Sequence, residues 1–194
     1  NGRYGKWIRQ HNTAVRIDDY LFLHGGIGPS LATTPLREIN EHVRAEIAQP
    51  DLPTDGLAAR PDGPLWYRGL AQGAEDELLP HVQQVLATHG VKHIVVGHTT
   101  TPGAVVPRFG GAVVLIDVGL SAHYGTRQAC LVIRRGEAFA LHRGRMLGLP
   151  LAGPGGVMAY LRAAASHDPE PSPLGPLIEA GGKLPLAPAP EPRR

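Results

Sequence analysis

The chain lacks most of the features that would assign it to a specialised class of protein. It has 194 residues and one cysteine, so it can form no internal disulfide, and Cys130 lies in an apolar run that predicts a small buried side chain. No stretch approaches the roughly 18 uninterrupted apolar residues of a membrane-spanning helix. The formal charge is +2 and aromatic residues make up 5% of the chain, which argues against a dedicated nucleic-acid surface. These totals are typical of a globular domain.

Two histidines each stand where an apolar segment meets a glycine. Residues 94–96 form a β-branched run that ends at Gly97 and His98, and residues 20–23 lead directly into His24 and two glycines. Histidine is a common metal ligand, and open α/β sheets bind their ligands where strands end. The repeated pattern favours one shared site, although each histidine alone is also compatible with a hydrogen-bonded place in the core. The other histidines are dispersed and predicted to lie mostly on the surface: His11, His42, His81, His89, His93, His123, His142 and His167.

Apolar segments of strand length alternate with amphipathic segments of helix length along the rest of the chain. Residues 50–64 contain four prolines and two glycines, which predicts a loop. The pattern as a whole predicts an α/β layered fold. The sequence predicts helices at 35–50 and 74–89, and strands at 13–17, 20–23, 93–96, 112–116, 128–134 and 138–142.

The composition changes near residue 150. Residues 1–149 read as the folded domain, whereas 150–194 are rich in proline, glycine and alanine and contain few large apolar residues. A short helix at 157–165 is compatible with the pattern. We nevertheless predict that 150–194 form a largely disordered tail, because they offer too little apolar surface to fill a core.

Two further side chains are candidates for the site of the paired histidines. Arg68, in the segment WYRG, could clamp two oxygens of a phosphate with its planar guanidinium, or it could stack on Trp66. Asp117 follows a predicted strand and is compatible with lining the cleft or with capping a turn. His123 and Tyr124 follow the same loop and are weaker candidates for its edge.

Three segments resemble those of calcineurin-like metallophosphoesterases. Residues 21–29, LFLHGGIGP, resemble the HGG segment of the family, and residues 95–102, VVGHTTTP, resemble its GHT segment. Residues 66–69, WYRG, resemble a segment between them in bacterial members related to the phosphoprotein phosphatases, often called Shewanella-like phosphatases. Thr100 stands where many relatives have a second histidine, as in that branch. The resemblance covers roughly residues 1–145, the C-terminal half of such a domain.

The resemblance implies part of a four-layer αββα sandwich with a dinuclear metal site on loops at strand ends. By resemblance, His24 and His98 ligate the second metal, Arg68 holds the substrate phosphate, and the two divalent or trivalent ions are manganese, iron or zinc. Such a centre activates water for in-line attack on phosphorus. The implied substrate is a phosphomonoester of the phosphoprotein type or a small phosphoester. The alternatives are a diadenosine tetraphosphate hydrolase and a non-catalytic binding module on the same scaffold.

The first three motifs of the family do not occur in this sequence. These motifs, Asp-x-His, Gly-Asp-x-x-Asp-Arg-Gly and Gly-Asn-His-Glu, provide the remaining ligands and the acid. The sequence begins without methionine just upstream of the segment that resembles the fourth motif, so we expect the N-terminal portion of the domain to be missing from it. We therefore expect the 194 residues alone neither to hold a dinuclear centre nor to hydrolyse phosphate esters.

Overall fold

The computed structural model describes residues 2–153 and 155–184, and these form a mixed α/β fold with two β-sheets. None of the helices in these residues has the length and apolar character needed to cross a membrane. The helices are α1 (Arg3–Ile8), α2 (Leu36–Ile47), α3 (Gly69–Gln72), α4 (Glu75–His89), α5 (Val157–Ala165) and α6 (Gly175–Glu179). The strands are β1 (Ala14–Ile17), β2 (Tyr20–Leu23), β3 (His93–Val96), β4 (Val106–Arg108), β5 (Val113–Leu115), β6 (Ala129–Arg134), β7 (Glu137–His142) and β8 (Arg145–Gly148).

The first sheet has five strands in the order β1-β2-β3-β5-β4. Strands β2, β3 and β5 run parallel to one another, and the edge strands β1 and β4 are antiparallel to their neighbours. Ile94, Val95 and Val96 of β3 are all buried, as expected for a parallel strand that is covered on both faces. Because parallel strands point the same way, the C-terminal ends of β2, β3 and β5 meet at one edge of the sheet.

Helices α2 and α4 bury one face each against the core. Ile39 and Val43 of α2 and Val82 and Val85 of α4 are buried. The first turn of α4 contains three acidic residues, which are favourable at the positive end of a helix dipole, and the helix ends at Gly90 in the left-handed conformation. The two predicted helices and the six predicted strands are confirmed, with ends that differ by up to three residues.

The second sheet, in the order β6-β7-β8, consists of two hairpins that share β7. The first turn is Arg135-Gly136 and the second is Arg143-Gly144, and all four residues have positive φ. Two-residue loops of this kind are type I′ turns, whose twist matches that of paired antiparallel strands. The first hairpin confirms the sequence prediction, whereas β8 and β4 were not predicted. Pro107 disfavours a strand, but β4 tolerates it because it is an edge strand.

Burial was wrongly predicted for Cys130, and two of the dispersed histidines are buried. Cys130 is exposed, because strand alternation places it on the opposite face of β6 from the buried Ala129. Of the dispersed histidines, which were predicted to lie mostly on the surface, His89 and His142 are buried, at 8% and 1% exposed. His89 lies in the last turn of α4, and burial lowers the pKa of its imidazole.

The chain after residue 150 differs from the disordered tail that its composition predicts. In the part of this segment that the structure describes, α5 matches the short helix expected there and α6 follows it. Leu174 and Leu177 are buried, and the hydroxyl of Tyr160 donates a hydrogen bond to the carbonyl of Val105 at 2.9 Å. A few well-spaced apolar side chains therefore suffice to dock the segment. The end of the predicted tail, 185–194, lies outside the described residues.

Asp168 fastens the C-terminal segment to the second sheet. Its side chain is 2% exposed, and its carboxylate lies 2.9 Å from His142 Nε2. It accepts hydrogen bonds from Arg143 Nε at 2.7 Å and from the hydroxyl of Ser172 at 2.8 Å. Burial raises the pKa of Asp168, but the hydrogen bonds from Arg143, Ser172 and His142 outweigh this effect and lower the pKa overall.

We predict that Asp168→Ala destabilises the fold by about 3 kcal/mol, because the buried donors lose their acceptor. The lowered pKa means that the charged carboxylate contributes stability above its unfolded-state pKa of about 3.9, and that this contribution is lost as the pH falls through the folded-state value. In urea unfolding, the free energy of unfolding of Asp168→Asn should therefore be lower than that of the wild type at neutral pH, and this difference should narrow below about pH 4. Asp51→Asn, at an exposed position, is the control. An equal difference in free energy of unfolding between the wild type and Asp168→Asn at neutral pH and below about pH 4 would contradict the account.

Candidate functional site

The three parallel strands of the first sheet carry three polar side chains to one edge. His24 follows β2 directly, His98 follows β3 after Gly97, and Asp117 follows β5 after Ile116. The backbone ladder extends beyond the strands themselves, because the Gly97 N–H donates to the His24 carbonyl at 2.9 Å. The positions of the two histidines are therefore fixed by strand pairing.

The His24 and His98 rings lie beside each other. Their centroids are 4.6 Å apart and their planes are inclined by 58°. His24 is exposed and His98 is half-buried. The Nε2 atom of His98 is buried and has no hydrogen-bond partner among the residues that the structure describes. Buried polar atoms are rarely left unpaired, so this nitrogen is a candidate ligand atom. The structure thus brings the two predicted histidines together, and their role as metal ligands stays a prediction.

His98 has a strained backbone conformation. Its φ is +63°, and across it the Thr99 N–H donates to the Gly97 carbonyl at 2.6 Å. A three-residue hydrogen bond around a positive φ defines the strained form of the γ-turn, which is rare for a residue other than glycine. Strain of this kind clusters at functional sites and persists where the surrounding structure enforces it. The turn bends the chain sharply at the end of β3 and places the imidazole beside His24.

The two glycines after His24 allow a second loop to lie against the strand end. The N–H groups of Gly25 and Gly26 donate to the carbonyl of Pro64 at 2.9 and 3.3 Å. A Cβ atom on Gly25 would lie 2.9 Å from the backbone nitrogen of Trp66, which real Cβ atoms do not tolerate. Glycine is therefore required for this close approach, and the loop brings its own side chains to the histidines.

Arg68 and Trp66, both on this loop, contact different parts of His98. Arg68 Nη1 donates to the His98 carbonyl at 3.3 Å. The Trp66 indole meets the His98 imidazole edge-on, with centroids 5.3 Å apart and planes at 86°. The sequence predicted Arg68 for this site, and its phosphate-binding role stays a prediction. The contact of Trp66 with His98 was not predicted. Its only signal in the sequence is that Trp66 lies two residues before Arg68.

Burial lowers the pKa of the His98 imidazole, and the charges of Arg68 and His24 lower it further. The Asp117 carboxylate opposes this effect without reversing it. His98 is therefore neutral near neutral pH, which is the form of imidazole that binds metal ions. The Asp117 carboxylate also accepts a hydrogen bond from the Gly119 N–H at 3.2 Å, so it caps its own turn while its charge acts on the site.

The described residues offer two imidazoles rather than a complete set of metal ligands. Within 2–153 and 155–184, no group of three or more His, Cys, Asp or Glu side chains is arranged to hold a metal ion. His123 and Tyr124 are exposed on the 3-10 turn Ala122–Tyr124. A catalytic metal usually has three protein ligands, so a catalytic centre here needs ligands beyond His24 and His98, whereas an ion held by the two imidazoles alone would complete its coordination with water.

The variants His98→Gly and His98→Ala should differ in their free energy of unfolding. Both remove the imidazole, but only glycine is free of strain at a positive φ. We predict that His98→Gly is more stable than His98→Ala by about 1 kcal/mol, measured by chemical denaturation. The same pair at Thr99, which has no positive φ, serves as the control and should show the opposite order. The account is wrong if His98→Ala is at least as stable as His98→Gly.

Comparison with known proteins finds similar proteins, one of them named as a phosphatase, although no protein-family model matches the chain. An uncharacterized protein of Schizosaccharomyces pombe is 32% identical over 138 residues, which are 66% of this chain and 41% of that protein. Shewanella-like protein phosphatase 1 of Plasmodium berghei is 27% identical over 135 residues, which are 64% of this chain and 37% of that protein. The chain thus spans less than half the length of these curated relatives.

Solved structures agree with this relationship. The cold-active protein-tyrosine phosphatase of a psychrophilic Shewanella species superposes with a TM-score of 0.63 at 26% identity, over 74% of this chain and 45% of that chain. Another structure of a cold-active protein tyrosine phosphatase gives a TM-score of 0.65 at 24% identity, over 78% of this chain and 46% of that chain, and shows the shared fold alone. The chain is therefore homologous to a Shewanella-like protein phosphatase and shares the mixed α/β fold of the Shewanella enzyme.

Proposed function

We propose that this chain forms part of the active site of a metal-dependent phosphoester hydrolase of the calcineurin-like class. One observation carries the proposal: two histidine rings from adjacent parallel strands lie 4.6 Å apart, with an arginine in contact with one of them. We further propose that the chain corresponds to the C-terminal half of a four-layer αββα domain. The greater length of its relatives supports this, since the chain covers 41% and 37% of the two curated proteins.

His24 and His98 would hold one of two metal ions. The buried, unpaired Nε2 of His98 fits this role, and His24 presents a second imidazole at the exposed side of the same edge. Imidazole nitrogen suits zinc and iron and also binds manganese. Two such ions, when bound, activate water for in-line attack on phosphorus and neutralise the phosphate oxygens. The other ligands would come from the part of the domain that precedes these strands.

Arg68 would bind and orient the substrate phosphate. One of its N–H groups is occupied by the His98 carbonyl, and this bond keeps the guanidinium beside the imidazoles. The remaining N–H groups of the planar fork match the geometry of phosphate oxygens. The names of the relatives, a protein phosphatase and a protein-tyrosine phosphatase, support a phosphoprotein-type substrate for this site.

Metal binding can be followed with the fluorescence of Trp66, which lies beside His98. The chain has two tryptophans, so Trp7→Phe leaves Trp66 as the single indole. We expect Co²⁺ to quench this fluorescence saturably, because a paramagnetic ion held by the histidines lies close to the indole. His24→Ala and His98→Ala should each abolish the saturable quenching.

The matched control for these variants is His42→Ala, at an exposed position on α2, which should leave the quenching unchanged. If saturable quenching persists when His24 and His98 are both alanine, the proposed ligand assignment is wrong.

Phosphate binding tests the role of Arg68 separately. In a ³¹P NMR titration with inorganic phosphate, Arg68→Ala should weaken binding about tenfold, because a charge-assisted hydrogen bond to the anion is lost. Arg68→Lys should bind with intermediate affinity, since it keeps the charge without the fork. Arg37→Ala, on the exposed face of α2, is the control. Equal phosphate affinity of Arg68→Ala and wild type would overturn the assignment.

A further inference from the structure

We propose that Trp66 is a positioning residue that fixes the orientation of the His98 ring for metal binding. This inference deepens the proposed function and rests on it. The proposed site identifies His98 as a ligand, and the question is what holds an imidazole in place when its buried nitrogen has no hydrogen-bond partner among the described residues.

Metal-ligating histidines are normally oriented by a hydrogen bond from their other ring nitrogen to a carboxylate or a carbonyl. In the part of the chain that the structure describes, aromatic contacts surround the His98 ring instead. The His24 ring lies 4.6 Å away at 58°, and the Trp66 indole lies 5.3 Å away at 86°. Edge-to-face packing at this distance is a favoured aromatic geometry. Both rings are exposed, but the Trp66 indole is held by a hydrogen bond from its Nε1–H to the Ala58 carbonyl, so Trp66 is the more rigid of the two supports.

Two hydrogen bonds fix Trp66, one made by its indole and one by its backbone. Its Nε1–H donates to the Ala58 carbonyl at 3.0 Å, and its backbone N–H donates to the Gly63 carbonyl at 3.0 Å. The preceding part of the same loop is tied to the end of β2, because the Gly25 N–H donates to the Pro64 carbonyl. Trp66 therefore presents one ring edge in a fixed place.

The anchor of Trp66 is in turn connected to helix α2. The carboxylate of Glu46 accepts hydrogen bonds from the Leu57 N–H at 2.9 Å and from the Ala58 N–H at 2.7 Å. A continuous series of contacts thus runs from α2 through the loop to the indole, and from the indole to His98. This path gives the ring a rigid support on a regular element, which a precise ligand geometry requires.

The backbone of His98 makes this support necessary. A residue at φ +63° has its side-chain direction set by a strained turn, and a small relaxation of that turn would swing the ring. Arg68 holds the carbonyl of the residue, while Trp66 contacts the ring. The two contacts together restrict both the backbone and the side chain of His98.

The test compares Trp66→Leu, Trp66→Phe and the control Trp7→Leu, which changes an exposed tryptophan on α1. The first readout is the His98 ring in the metal-free chain, measured by NMR side-chain couplings and ring ¹³C relaxation. We expect Trp66→Leu to average the ring over several rotamers, and Trp66→Phe to lie between Trp66→Leu and wild type, because it retains an aromatic edge but loses the hydrogen bond to the Ala58 carbonyl. The second readout is Zn²⁺ affinity by calorimetry, which should fall about tenfold in Trp66→Leu, fall less in Trp66→Phe and stay near wild type in Trp7→Leu.

A merely structural tryptophan would lower the thermal midpoint without changing the His98 rotamer or the Zn²⁺ affinity below that midpoint, and this result would overturn the proposal. If Trp66→Leu does not fold, Trp66→Met replaces it, with the same expectations and the same contradicting outcome. If His98→Ala leaves the Zn²⁺ affinity of the wild-type chain unchanged, the proposed function fails. The positioning role of Trp66 is then decided by the rotamer measurement alone.

Discussion

The parallel pairing of β2 with β3 is the constraint on which the candidate site depends. Its register places Leu23 opposite Val96, and the hydrogen bond from Gly97 to His24 extends it by one more step. Side chains alternate between the faces of a sheet, so a slip of one residue would turn the strand residues to the wrong face and move the two histidines apart. The register is secure because β2 and β3 bury apolar side chains at the centre of the core.

The site combines a rigid base with a locally strained residue. The positive φ of His98 disfavours folding, whereas the buried strands before it and the loop contacts beside it stabilise the arrangement. The absence of a Cβ atom at Gly25 also contributes, because it lets the loop of Trp66 and Arg68 reach the strand ends. Strand, turn and loop therefore act together, and the loss of any one of them would loosen the pair of imidazoles.

The sequence predicted the parts of this structure that have strong local patterns. The apolar runs 20–23 and 93–96 and the amphipathic helices are visible without a structure, because burial imposes a period on each of them. The pairing of β2 with β3 depends on long-range contacts, so the repeated strand–histidine pattern and the family resemblance indicated a shared site for His24 and His98 without giving the pairing itself. Pro107 concealed an edge strand, and composition alone could not show that Leu174 would be buried. The contact between Trp66 and His98 has one weak local signal, the position of Trp66 two residues before Arg68.

The most direct measurement is the location of a bound metal ion by anomalous X-ray diffraction from crystals of this chain equilibrated with Zn²⁺. The account predicts an anomalous peak about 2.1 Å from a ring nitrogen of His24 and from a ring nitrogen of His98. A peak that contacts only one of these rings, or that lies at other histidines while this pair stays without metal, would contradict it.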